Sequence, residues 1–189
     1  MKQLLLIGDS IRMGYCETVK TLLAEEYEVI FPKENCRMSQ NILTSLGSWV
    51  GLCRREDVAV VQFNCGHWDA ARFGGDSEPL TSLSEYEKNL RAIVRRLRGY
   101  FPAAKLVFAT TTPMNPAHPE TINARTTDEI RAYNAVAETV MREMDVVVND
   151  LFAATAEWGG EAYADYCHFT PEAFARLGGI AAAYLRAMQ

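Results

Sequence analysis

Near one end of the chain a serine follows an apolar run, and near the other an aspartate and a histidine stand three residues apart. The first segment is Leu4-Leu5-Leu6-Ile7-Gly8-Asp9-Ser10 and the second is Asp165-Tyr166-Cys167-His168. A serine hydroxyl is a weak nucleophile until a base takes its proton. An imidazole serves as that base when its other nitrogen is held in one tautomer, commonly by a carboxylate. The pattern predicts nucleophilic hydrolysis, acyl-ester hydrolysis first, with Ser10, His168 and Asp165 taking part. Each segment alone has a plainer reading: a tight turn capped by Asp9 or Ser10, and a loop acid paired locally with a loop imidazole. The chain holds only three histidines, His67, His118 and His168, so the choice of base is narrow.

Positioning such residues requires a frame, and the hydropathy pattern supplies one. Apolar runs over 2–7, 27–31, 58–63, 106–110 and 145–148 read as strands. Amphipathic stretches over 11–26, 39–53, 84–100, 127–144 and 170–188 read as helices. Ser84 with Glu87 has capping-box spacing, and Thr170-Pro171-Glu172 has the signature of a helix start. Strands alternating with helices predict a parallel sheet covered on both faces, and 58–63, apolar at every position but Gln62, fits that burial. Ligands of such sheets bind beyond the carboxyl ends of the strands. Ser10, Cys36, Asn64, Asn115, Asp165 and His168 all fall there, and the polar loop from Gly74 to Leu83 is expected to border the cleft.

Composition narrows the function classes. The chain has 189 residues, enough for one domain with a sizeable core, and its 49% apolar and 23% charged residues fit a globular protein. A net charge of −5 argues against a nucleic-acid or anionic-membrane surface. No apolar run reaches the length of a spanning helix, and the N-terminal run reads as the first strand rather than a signal peptide. Cys16, Cys36, Cys53, Cys65 and Cys167 are odd in number and lack C-x-x-C spacing, which predicts reduced thiols and a cytoplasmic protein. No Walker or dinucleotide glycine loop and no H-E-x-x-H pattern is present, so neither cofactor nor metal is expected.

Four stretches carry a resemblance: Leu6 to Ser10, Asn35 to Leu46, Val61 to Asp69, and Asp165 to Phe169. In that order they resemble the SGNH (GDSL) hydrolase family across nearly the whole chain. The resemblance implies a three-layer α/β/α, flavodoxin-like fold with a five-stranded parallel sheet. It implies Ser10 as nucleophile, His168 as general base and Asp165 as its orienter. It also implies an oxyanion hole from the backbone N–H groups of Ser10 and Cys36 and the side chain of Asn64. The second block places Cys36 where the family has a glycine, and another register gives the role to Gln40. The third block reads Asn64-Cys65-Gly66 where the family reads Gly-x-Asn, so Asn64 and Gly66 are alternatives for that donor.

Asp9, Trp68 and Asn115 are candidates to contact substrate, with His67 and Asp69 beside them as possible pocket lining and a core role open for Trp68. Glu120 with Arg125, and Arg95-Arg96-Leu97-Arg98, read as solvated surface. Family members act on acetylated sugars, short-chain esters, lysophospholipids and thioesters. The expectation is a serine esterase for small acyl groups, acetyl above all, on a carbohydrate or similar polar alcohol. The partner is a small-molecule or saccharide ester, with no nucleic acid or membrane, and a homodimer is permitted. The rivals are a weakly active or inactive relative that binds a polar ligand or glycan, and an unrelated flavodoxin-like module using Gly8-Asp9-Ser10 as an anion site.

Overall fold

The structure is a computed structural model and describes residues 1–118 and 123–188. Five parallel strands form the central sheet: β1 (Gln3–Ile7), β2 (Glu28–Ile30), β3 (Val58–Phe63), β5 (Lys105–Ala109) and β7 (Val147–Asn149). Their spatial order is β2-β1-β3-β5-β7, with the chain reversing its direction of travel at β1. The helices are α1 (Ser10–Leu22), α2 (Ser39–Val50), α3 (Leu83–Tyr100), α4 (Thr127–Glu143), α5 (Leu151–Thr155) and α6 (Pro171–Arg186). This is the three-layer architecture that the alternating pattern predicts. Successive residues of a strand point to opposite faces. Leu5 and Ile7 of β1 accordingly join the core under α2, α3 and α4, while Leu4 and Leu6 join the core under α1 and α6.

The pairing of α1 with α6 brings the two ends of the chain together, because α1 opens with Ser10 and α6 begins just after His168. Glycines let the two helices approach closely. A Cβ on Gly14 would sit 2.2 Å from the Phe174 ring, and one on Gly178 would sit 2.6 Å from the Cβ of Thr18. Neither position has room for a side chain without moving its neighbour.

Element boundaries differ from expectation at several points. Ser82 and Glu85, not Ser84 and Glu87, form the capping box of α3. Both pairs satisfy the S-x-x-E pattern, and the earlier one adds a residue to the helix. Helix α1 stops at Leu22, where Leu23 N–H bonds back to the Val19 carbonyl. A two-stranded antiparallel ribbon of β4 (Arg72–Phe73) and β6 (Asn123–Ala124) has no counterpart in the hydropathy pattern, since two-residue strands carry no readable period. Among the described residues no helix is long and apolar enough to cross a membrane. All five cysteines are free.

Candidate active site

The site lies at the carboxyl end of the sheet. Strand β1 ends at Ile7, and Gly8 has no room for a side chain: a Cβ there would lie 1.9 Å from Asn64 Oδ1. Asp9 caps α1, its Oδ1 accepting the Ile11 N–H at 3.0 Å. Ser10 is the first helical residue, so its N–H belongs to the turn that has no intrahelical acceptor. At the other end of the chain, Asp165 Oδ1 accepts the backbone N–H groups of Cys167 at 2.9 Å and His168 at 2.7 Å. That turn folds the imidazole back onto its own acid, which is what a three-residue spacing permits.

The two ends meet. His168 Nδ1 is 2.7 Å from Asp165 Oδ2, and His168 Nε2 is 2.7 Å from Ser10 Oγ. An ionised Asp165 accepts only, which fixes the proton on Nδ1 and leaves Nε2 to accept from the serine. Burial would raise the Asp165 pKa. The hydrogen bonds from Cys167, from the His168 backbone and from the imidazole outweigh it and hold the carboxyl below its ordinary range. A depressed acid stabilises the fold above its unfolded pKa and loses that contribution as pH falls through the folded value. Such a chain of groups can activate a hydroxyl for attack on a carbonyl.

Around the serine, the middle segments are placed differently from expectation. The Cys36 N–H does not face an open site; it is donated to the Gly8 carbonyl at 3.1 Å, extending the pairing beside β1. The left-handed residue of this segment is Arg37, with φ 54°, and its N–H bonds to Asn35 Oδ1 at 2.8 Å. Gln40 is in the first turn of α2, its Oε1 accepting from Thr81 Oγ1 at 2.9 Å. Asn64 lies over Gly8 with its amide against the Asp9 carboxylate, and its Oδ1 has no partner.

Asp9 is fully buried and so cannot touch substrate in this conformation; burial pushes its pKa up against the opposing pull of Asn64, the Ile11 N–H, Arg125 and Arg12. Asn115 is also buried. It anchors the histidine turn, its Nδ2 donating to the Asp165 carbonyl at 2.8 Å and its N–H to the Tyr166 carbonyl at 2.9 Å. Trp68 is half-buried, with Phe73 stacked on it at 6.0 Å and the Arg37 guanidinium 5.8 Å from its ring.

Residues 6–176 match the GDSL-like lipase/acylhydrolase family. The chain belongs to that family. The GDSL assignment makes it a carboxylic ester hydrolase. No curated protein matches it by sequence. Among solved structures, a lipase/acylhydrolase from Enterococcus faecalis is 22% identical, with a TM-score of 0.75 over 99% of this chain and 96% of the other. An aryl esterase from M. smegmatis is 16% identical, with a TM-score of 0.76 over the whole of both chains. A carbohydrate acetylesterase from Sinorhizobium meliloti is 14% identical, with a TM-score of 0.72, again over the whole of both. At these identities the likeness is one of fold.

Against the GDSL pattern, Gly66 stands where the third block usually has asparagine. Its φ is +148°, and a Cβ there would lie 2.2 Å from Thr111 Oγ1. Gly66→Asn, which restores the family residue, is expected to destabilise the protein by about 2–4 kcal/mol through backbone strain and steric conflict. A thermal melt of the variant checks this; an unchanged Tm refutes it.

Four buried residues organise this GDSL site in ways that sequence reasoning missed. Arg12 reaches under the serine turn, donating to the carbonyls of Pro32 at 2.8 Å, Gly8 at 3.1 Å and Glu34 at 2.7 Å. Its signal was legible: it shares the buried stripe of α1 with Ile11, Tyr15, Cys16 and Val19. Arg125 is not at the surface, as its residue type suggests, but buried, and it donates to His67 Nδ1; Glu120 lies outside the described residues. His67 is buried as well, and its pKa is driven well down by desolvation and by the charges of Arg125 and His168.

Asp69 is the fourth. Rather than lining a pocket, it ties the second block to the third, accepting from Ser39 N at 3.1 Å and Ser39 Oγ at 2.5 Å. Burial raises its pKa from 3.8 to about 6, against the hydrogen bonds from Ser39. A folded pKa above the unfolded one means the protonated form favours folding. Asp69's contribution to stability therefore declines as pH rises from about 4 to about 6. Melts across that range are expected to show this component in the wild type and not in Asp69→Asn. Equal pH dependence in the two proteins would contradict it.

Proposed function

We propose that this protein is a serine esterase removing short acyl groups, acetyl above all, from a carbohydrate or a similarly polar alcohol. The observation that carries the reading is the unbroken chain Ser10 Oγ, His168 Nε2, His168 Nδ1, Asp165 Oδ2, with 2.7 Å at each inter-residue step. In this reading Ser10 attacks the ester carbonyl as His168 takes its proton. The imidazolium, steadied by Asp165, then protonates the departing alcohol. Water, deprotonated by the same imidazole, releases the acid from the acyl-enzyme. The tetrahedral oxyanion is held by the Ser10 N–H at the start of α1, where the helix dipole adds positive potential, and by the Asn64 side chain. We assign the contact with the alcohol to the half-buried Trp68.

The choice of alcohol draws on the family and on structural neighbours that are themselves a carbohydrate acetylesterase and an acetyl xylan esterase. The free thiols favour a reducing compartment, and we read the protein as cytoplasmic. The test is hydrolysis of p-nitrophenyl acetate, butyrate and octanoate, followed by acetate release from acetylated oligosaccharides. A kcat/KM that falls as the acyl chain lengthens supports the reading, and a rise toward octanoate overturns the small-acyl part. The glycine in place of the family asparagine favours a second reading, a weakly active relative that binds a polar ligand. Wild-type turnover no faster than that of Ser10→Ala would select it.

A further inference from the structure

Arg125 has no part in the esterase steps, yet it is a buried charge beside the reacting groups. The residue is 6% exposed, and none of the ion pairs among the described residues includes it. Its acceptors are His67 Nδ1 at 3.2 Å, the Asn123 carbonyl at 2.9 Å and Cys167 Sγ at 3.4 Å. These take three of the five N–H donors of a guanidinium. None of the three acceptors brings a negative charge. An imidazole accepting from arginine is neutral, consistent with the lowered pKa of His67, and burial pushes the Cys167 thiol up to about 12. Asp9 feels the charge of Arg125 without pairing with it, and burial raises the pKa of that carboxyl toward the neutral form. Taking a charge out of water without a counter-ion costs several kcal/mol. The Tyr166 ring, 5.4 Å from the guanidinium carbon, offsets only part of that cost.

The place of this charge is as informative as its lack of a partner. It joins the turn after β3, through His67, to the turn holding the acid and base, through Cys167. Cys167 Sγ is 3.8 Å from His168 Nδ1, and the Tyr166 ring that packs on the guanidinium also lies 6.1 Å from the ring of His168. A group bound at Arg125 is therefore a close neighbour of the reacting centre. Arginine's planar fork suits a carboxylate, which accepts two parallel hydrogen bonds.

We propose that Arg125 is a specificity determinant that takes a carboxylate carried by the substrate, so that the preferred substrates are esters bearing a negative charge close to the scissile bond. The proposal rests on the esterase reading and narrows it. The charge can ride on the alcohol or on the acyl group. In either case it meets the same guanidinium, a buried positive charge in a chain of net charge −5.

Two matched pairs of esters separate these sources. 4-Acetoxybenzoate against 4-acetoxybenzamide places the charge on the alcohol side. Monophenyl malonate against phenyl propanoate places it on the acyl side. The readout is the ratio of kcat/KM, charged over neutral, which a general loss of activity does not move. The wild type is expected to favour the charged ester by about 10–100-fold in one pair, as for a desolvated charge-assisted hydrogen bond. In Arg125→Met that ratio is expected to collapse toward unity, and in Arg125→Lys to fall part-way.

Calorimetric titration with 4-hydroxybenzoate and with malonate reports on the same site without turnover. One of the two anions should bind the wild type at one site and not bind Arg125→Met. If no ester of either pair is hydrolysed, the esterase reading fails and the titration alone judges the arginine; turnover of charged esters alone supports both. Absence of a charged preference and of anion binding in the wild type overturns the proposal. So does a variant that loses rate on both esters of a pair equally, which would mark Arg125 as a fastening between two turns.

Discussion

Replacing Ser10 with alanine is expected to lower kcat/KM for p-nitrophenyl acetate by about 10⁴–10⁶-fold. His168→Ala should lose a similar factor, and the double variant should be little worse than either. The reason is mechanical dependence: the hydroxyl attacks only as the imidazole takes its proton, so removing one member idles the other. Initial rates with background hydrolysis subtracted give the measurement. Folding should survive both changes, since Ser10 and His168 are partly exposed and neither belongs to a core cluster. A residual rate near that of the wild type in Ser10→Ala would remove the serine from the mechanism. Strong loss in each single variant with a further large loss in the double would mean that two independent groups are at work.

The largest expected effect on stability belongs to Arg12. Its guanidinium is buried at 1% exposure and donates to three backbone carbonyls, two of them in the segment that leads to the second block. Arg12→Met keeps most of the apolar stem and removes all three of these hydrogen bonds, the Gly8 carbonyl keeping the Cys36 N–H. The cost is expected to be about 3–5 kcal/mol, as for breaking a buried charged network. For a chain of this length that is a fall in Tm of roughly 10 °C or more. Chemical denaturation at one pH measures it. Arg54, whose ion pairs with Glu28 and Asp57 are exposed, is the control, and Arg54→Ala should change stability by less than about 1 kcal/mol. Comparable effects of the two substitutions would show that the Arg12 network carries little of the fold.

Much of this architecture was legible in the chain. The run over 58–63 coincides with β3, because a strand buried on both faces is apolar at most positions; its one polar residue, Gln62, is buried and bonded to Tyr15 and Asn149. The pairing of Asp165 with His168 was legible because it is local, closed within one turn. The meeting of Ser10 with His168, 158 residues away, was legible only through topology and family likeness. Where expectation and structure part, the cause is tertiary. Cys36 spends its N–H on Gly8, and a backbone donor leaves no trace in the identity of its side chain. Asn115 and Asp9 have the residue types of ligand contacts, yet both are consumed in holding loops. Arg125 has the residue type of a solvated surface, where arginine usually lies. Its burial depends on a turn from the far end of the chain folding over it.

The glycine contacts between α1 and α6 have a consequence for how this protein would fail under stress. The serine rides on the first residue of one helix and the histidine just ahead of the first residue of the other, so the gap between them is an inter-helix spacing. Gly14 against Phe174 and Gly178 against Thr18 set that spacing. A hydrogen bond tolerates a displacement of only a few tenths of an ångström before it weakens. The packed helices can slide by more than that and remain folded. Proton transfer should then be the first property to lapse on warming, ahead of any loss of secondary structure, with the two glycines acting as the gauge blocks of the catalytic distance.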